Sequence, residues 1–239
     1  MTTDILLGGI VLLGASVQWL TGMGFALVAV PALILLLGPA QGVVLANCAG
    51  GAISVVGLAG GWRQVRLRAM VPLCVAAVCT VPAGAWTTRQ LPPPVLLLVM
   101  GTLVTVVVLL VMRGARVPAL RGTEGAVAAG AAGGFMNAAA GVGGPPISLY
   151  AVNAGWTVRE FVPNAQFYGV VVNAFSVAAN GVPSLRTPQW VAVVAAMAVG
   201  GVIGRGLAGR IPEHRARALV LTLALAGGVT AMGKGAWGL

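Results

Sequence analysis

Six neutral polar side chains interrupt the apolar stretches of this chain: Gln18, Thr21, Asn47, Asn137, Asn164 and Gln166. Their chemistry is hydrogen bonding. An amide offers two N–H donors and an acceptor oxygen, so a set of amides can hold an oxyanion without the cost of burying a full charge. The same amides can instead bond across helices and hold a bundle together. The residues alone leave both readings open for each of the six. Two glycine clusters lie beside them. Gly22-Met23-Gly24 follows Gln18 and Thr21, and Gly141-Val142-Gly143-Gly144-Pro145-Pro146 follows Asn137. Glycine adopts conformations that other residues avoid and lets a ligand approach the backbone. No nucleophile–base pairing and no metal-ligand spacing is present, so neither catalysis nor a metal or other cofactor is expected. Cys48, Cys74 and Cys79 lie within apolar runs without a CxxC pattern and read as small packing residues.

The elements that must position these groups are helices in a membrane. Of 239 residues, 59% are hydrophobic and 8% are charged, against about 25% charged in a soluble domain. The apolar runs lack the period-two alternation of a membrane barrel, so the chain reads as an all-α polytopic membrane protein. Ten segments can be marked: 5–20, 25–37, 43–61, 69–87, 94–112, 123–139, 146–154, 161–181, 189–207 and 216–233. A full span takes about 20 residues. The second and seventh segments are too short to cross alone, and each follows a glycine cluster.

Irregular backbone at membrane depth is tolerated only where protein or a water-filled cavity covers it. Each cluster is therefore expected to be the tip of a broken helical hairpin inside the bundle. Pro145 and Pro146 suit the first turn of the helix that follows, where a missing N–H costs nothing. Helix N-termini at the tips would turn free N–H groups and positive dipole ends to the centre, which suits an anion. No Asp or Glu falls in the middle of a segment, so nothing there repels one. Asn173, Asn180, Ser54 and Ser148 are expected to be interhelical glue or packing, and Arg159–Glu160 a local ion pair. His214 reads as a surface loop residue.

The net charge is +10, with Arg and Lys together 14 and acids four. The basic residues fall in short gaps between segments, which the positive-inside rule explains, so nucleic acid is not an expected partner. Gaps with Arg63, Arg66 and Arg68, with Arg113, Arg116 and Arg121, and around Arg205 to Arg217 all fall on one side if every segment reverses direction. That side is the cytoplasm, and both termini are then outside. The two halves also align. Gly22-Met23-Gly24 meets Gly141-Val142-Gly143 at an offset of 119, and Gln18 meets Asn137 and Asn47 meets Gln166 at the same offset. Residues 1–121 and 122–239 each hold five segments. Five is odd, so the copies run in opposite senses, an inverted-topology repeat of the kind found in secondary transporters.

The pairing of TGMGFALVAVPAL with AAAGVGGPPISLYAVNAG in a duplicated chain of this size resembles the TauE/SafE sulfite exporter family. Gly-Gly-Pro-Pro in the second copy is its most specific element. The resemblance implies transport of a sulfur-containing anion such as sulfite, sulfoacetate or another organosulfonate. It places the chain in a bacterial inner membrane, with the lipid bilayer and a small anion as partners; self-association into a homo-oligomer is left open. The expected substrate-binding set is Gln18, Thr21, Gly22, Met23, Gly24, Asn47, Asn137, Gly141, Val142, Gly143, Gly144, Pro145, Asn164 and Gln166. The leading expectation is a secondary carrier working by alternating access. Its rivals are an anion channel on the same scaffold and a non-transporting assembly subunit.

The topology is checked by accessibility labelling of single cysteines in a background from which the three native cysteines have been removed. The loops containing Arg66, Arg116 and Arg215 should label from the cytoplasm and both termini from outside. Labelling of the Arg66 and Arg215 loops from opposite faces would refute the five-plus-five arrangement.

Overall fold

The computed structural model describes residues 2–22, 24–113, 121–208, 210 and 213–239. The described chain is all helical: α1 (Thr2–Thr21), α2 (Phe25–Leu37), α3 (Pro39–Ala59), α4 (Leu67–Gln90), α5 (Pro93–Met112), α6 (Gly122–Ala140), α7 (Gly144–Asn153), α8 (Val158–Asn180), α9 (Thr187–Leu207) and α10 (Glu213–Trp237). A single 3₁₀ turn, Trp62–Gln64, lies between α3 and α4. Prolines and glycines set many of the boundaries. Gly38 ends α2 and Pro39 opens α3; Pro92 and Pro93 open α5; Gly141 ends α6. Six helices, α1, α3, α4, α5, α9 and α10, are long and apolar enough to cross a membrane. Together they give the chain the helices of a multi-pass membrane protein. The two short helices have 13 residues in α2 and 10 in α7, too few to span about 30 Å of hydrocarbon at 1.5 Å per residue.

Four pairings carry most of the packing: α1 on α9, α4 on α6, α5 on α10 and α3 on α8. Advancing every helix by five positions maps this set onto itself. Lipid tails are as apolar as leucine, so helices in a bilayer associate through close van der Waals contact, which small residues permit. Gly130 and Gly134 of α6 press on the backbone of α4 at Leu73 and Ala77. Gly200 and Gly204 of α9 press on α1 at Leu12 and Ser16, and Gly101 of α5 meets Gly228 of α10.

The helix ends are tied in pairs. At the starts of α1 and α9, Arg186 lies 3.3 Å from Asp4 and the Gln189 side chain donates to Asp4 at 3.1 Å. The Ser184 N–H donates to Gln41 at the start of α3. Arg89 donates to the Ala179 carbonyl at the end of α8. At the opposite end of α8, Arg66 pairs with Glu160 at 2.7 Å. The expected Arg159–Glu160 pair is therefore corrected: Arg66 reaches Glu160 from the α3–α4 connection. Glu160 also closes a capping box with Thr157, a job its place in the first turn of α8 favours. The backbone at His214 is corrected as well, since it lies in the first turn of α10 and not in a loop.

Glycine packing on α4 is checked by thermal unfolding in detergent. A Cβ at Gly134 would collide with the α4 backbone at Ala77, so Gly134→Ala should cost about 1–3 kcal/mol through overpacking. Gly9 has open space around it, so Gly9→Ala should be neutral or stabilise by about 0.5–1 kcal/mol. Equal melting temperatures for the two variants would remove the close-packing explanation.

Candidate functional site

Both hairpin tips are built by the same local device. An amide residue sits one turn before a glycine that ends the first helix. At the first tip the Gly22 N–H bonds the Gln18 carbonyl at 2.8 Å, and Gly22 has φ +77°. At the second, the Gly141 N–H bonds the Asn137 carbonyl at 2.8 Å, and Gly141 has φ +68°. Left-handed backbone at the end of a helix is a glycine position. The amide side chain then reaches across the turn to the next helix. Gln18 Oε1 accepts from the Gly24 and Phe25 N–H groups at 2.7 and 3.0 Å, at the start of α2. Asn137 Oδ1 accepts from the Gly143 N–H at 3.2 Å, at the start of α7.

The sequence expectation that these amides present donors to the centre is thus altered in a specific way. Their oxygens cap the tip helices, and some of the N–H groups expected to be free are occupied. Pro145 and Pro146 carry no N–H, and the Gly144 N–H has no partner among the described residues. On α2, Ala26 has an N–H without a partner among the described residues. The amide nitrogens are engaged too. Asn137 Nδ2 donates to Asn47 at 3.2 Å, Asn173 at 3.0 Å and Ser176 at 3.0 Å. Gln18 Nε2 and Gln166 Nε2 both point at the Gly22 carbonyl, at 3.4 and 3.0 Å.

The tips meet at one cleft of about 60 Å³. From the first hairpin its wall has Gln18, Gly22, Gly24 and Phe25; from the second, Asn137, Gly141, Val142, Gly143, Gly144 and Pro145. The α3 wall has Ala46, Gly50 and Ser54, and the α8 wall has Tyr168, Gly169, Val172 and Asn173. Among the described residues, no charged side chain lines it. A second cavity of about 150 Å³ shares Leu27 with it and lies between the first tip, α7 and the nearby parts of α5, α8 and α10.

Nine of the fourteen expected residues line the cleft. Thr21 lies on the wall of the adjoining cavity. Asn47 stands behind the cleft, 1% exposed, donating to the Asn137 carbonyl. Gln166 supports the first tip from beside Gly57. Asn164 does not line the cleft; it accepts from the Arg66 N–H and donates to the Glu160 carbonyl. Met23 lies outside the described residues. Asn180 donates to the Ala138 carbonyl, the interhelical role expected of it. Ser54 and Asn173, which the sequence assigned to packing or interhelical glue, line the cleft, as does Tyr168, which the expected set left out. For Asn173 a signal existed: it lies seven residues after Gln166, on the same helix face.

A family model described as sulfite exporter TauE/SafE matches residues 6–231 of the chain. No curated protein and no solved structure gives a match.

The oxygen caps make a stability prediction. Gln18→Leu would leave the Gly24 and Phe25 N–H groups buried and unpaired, at about 1–3 kcal/mol for each such group. Gln18→Glu keeps an oxygen there and adds negative charge beside the positive end of α2, so it should melt above the Leu variant. Thermal scans in one detergent compare them. A Leu variant as stable as the wild type would show that the tip does not depend on this cap.

Proposed function

The chain belongs to the TauE/SafE sulfite exporter family, and from that membership we propose a secondary carrier that exports a small sulfur-containing anion. The substrate is sulfite, sulfoacetate or another organosulfonate, bound where the two hairpin tips meet and released by alternating access. The observation that carries this reading is the cleft: two tips of matched geometry converge on a space lined by N–H donors, hydroxyls and amides, without a charged side chain. Residues 1–121 and 122–239 form an inverted repeat, a reading supported by the matched tips and by helix pairings that map onto themselves. The protein sits in a bacterial cytoplasmic membrane with both termini outside.

In this reading the anion exchanges its hydration shell for partial positive charges fixed in the bundle. Each tip helix contributes the field of its N-terminus. The Gly144 N–H and the polar groups of α3 and α8 contribute direct bonds. No bond in the substrate is made or broken. The membrane potential, negative inside, favours outward movement of an anion by about 2.3 kcal/mol per charge per 100 mV.

Flux of labelled sulfoacetate in proteoliposomes tests the proposal. A carrier gives saturable uptake and counterflow; flux without saturation indicates a channel, and no flux above empty liposomes a non-transporting subunit. A Cβ at Gly143 would lie 2.8 Å from the Asn137 Cβ and 2.9 Å from its Oδ1. Gly143→Leu should therefore fill the cleft, displace the cap and reduce flux to background while the protein still purifies as a folded species.

A further inference from the structure

We infer that Gly42 and Phe161 are gate positions at the two ends of the path through the bundle. The structure is the cytoplasm-facing state, shut outside where α2 closes on α3 over Gly42. It turns outward when α2 leaves α3 and α7 closes on α8 around the Phe161 ring. This rests on the carrier and inverted-repeat reading above and goes beyond it by naming the seams that exchange and the side chain that seals the inner one.

The repeat gives each seam a counterpart. Helices α2, α3, α4 and α5 start at Phe25, Pro39, Leu67 and Pro93, and α7, α8, α9 and α10 start at Gly144, Val158, Thr187 and Glu213, 119 or 120 residues later in each case. Leu33 of α2 therefore corresponds to Val152 of α7, and Gly42 of α3 to Phe161 of α8. These counterparts are in opposite conditions. Leu33 is 0% exposed and Val152 is 46% exposed. A Cβ on Gly42 would lie 2.7 Å from the Ile34 nitrogen and 2.8 Å from the Leu33 carbonyl carbon, so α2 and α3 meet backbone to backbone. Phe161 instead lines the cavity of about 150 Å³, together with Val152 and Trp156. The rest of its wall follows the same pattern. Val111 of α5 and Leu221 of α10 are half-buried there, whereas their counterparts Ala231 and Gly101 are buried, Gly101 against the Gly228 carbonyl. The first tip thus has a cavity beside it where the matching surroundings of the second tip are packed. Phe161 follows Glu160, which pairs with Arg66, so the cavity lies toward the basic end of the bundle, the cytoplasmic one in the proposed topology.

The exchange of glycine for phenylalanine decides how each seam can close. Helices in a bilayer approach closely where small residues let their backbones meet. Gly42 permits that, and Phe161 forbids it. The inner seam can close only if the ring has somewhere to go. An apolar cavity of about 150 Å³ holds a benzene ring, so the space beside α7 is large enough to take the Phe161 side chain as a plug. Close-packed seams are bistable rather than continuously deformable, so opening one and closing the other is a change between two states.

The experiment labels single cysteines with a membrane-impermeant maleimide, in the full chain without its three native cysteines, from each face of sealed vesicles and with no substrate added. Val152→Cys should label readily from the cytoplasmic face, and Leu33→Cys slowly from either. Adding Gly42→Ala wedges α2 from α3. It should raise Leu33→Cys labelling from outside about tenfold, the population change that an overpacking collision produces, and lower Val152→Cys labelling from the cytoplasm. Gly227→Ala, whose Cβ would press on Pro31 of α2 at 2.6 Å, is a second wedge should the first not fold, and should move both labels in the same senses. Adding Phe161→Ala to either wedge should restore labelling at position 152 while position 33 stays fast, because the plug is gone. Labelling at 33 that rises without a fall at 152 is local loosening and overturns the coupled gate. So does labelling that no wedge changes, a Phe161→Ala that restores nothing, or a Val152→Cys that labels from outside. These arms need no substrate. Sulfoacetate flux with no reciprocal labelling therefore overturns the gate alone, and reciprocal labelling without flux overturns the substrate reading alone.

Discussion

A helix cannot stop inside a membrane unless something answers its exposed N–H groups. That constraint shapes this protein, because two helices begin within the bundle. The answer is the same in both halves. A side-chain amide one turn upstream of the breaking glycine folds its oxygen over the new helix start, as Gln18 does for Gly24 and Phe25 and Asn137 for Gly143. Proline adds a second solution at α7, where Pro145 and Pro146 present no N–H to be satisfied. Without these devices the tips would need water at every exposed group, and the cleft between them would not hold one shape.

From the tips the dependence spreads outward through amides. Asn137 binds Asn47 of α3 and Asn173 and Ser176 of α8, so the second hairpin is fastened to both helices of the central pair. Gln166 of α8 fastens the first hairpin through the Gly22 carbonyl. One seam, α3 against α8, therefore holds both tips. The outer pairs, α4 with α6 and α1 with α9, close around it by glycine contact, to which Thr80 and Thr88 of α4 add bonds to α6 carbonyls and Gln189 a bond to Asp4. Exposed ion pairs at the helix ends add little energy of their own; they mark which ends meet.

Much of this was legible in the sequence because membrane burial leaves coarse signals. Apolar run length separates α2 and α7 from spanning helices. Glycine and proline placed the two breaks, and the equal spacing of Gln18 and Asn137 from their glycines linked the halves. What stayed hidden was hydrogen-bond direction and partner choice. An amide in a sequence does not say whether its oxygen or its nitrogen faces a cavity. That is why Gln18 and Asn137 read as donors to a ligand, while the structure uses their oxygens as caps. Partner choice is equally tertiary. Glu160 could reach Arg159 or Arg66, and only the fold of the α3–α4 connection brings Arg66 to 2.7 Å. Asn164 shares its helix with Asn173, yet lies within the first two turns of α8 and is absorbed by that connection. Ser54 carried no distinguishing pattern, since a serine in a membrane helix is usually small filler.

The neutrality of the cleft has a consequence for turnover. A full positive charge beside a bound anion in a low-dielectric interior interacts strongly, and a carrier must let its substrate go. Four of the described cations are engaged away from the cleft. Arg205 stacks over Trp19 at 3.8 Å, Arg66 and Arg186 pair with acids, and Arg89 serves a helix end. What remains at the centre is a set of dipoles, each of which adds modest attraction and none of which has to be neutralised when the site is empty. The empty state has its own occupants, the Gln18 and Asn137 oxygens, at the helix starts that would otherwise attract an anion most. In the proposed carrier, an anion that displaced these oxygens would gain only the difference between its own bonds to the site and those the oxygens already make, which would suit cyclic binding and release better than deep capture.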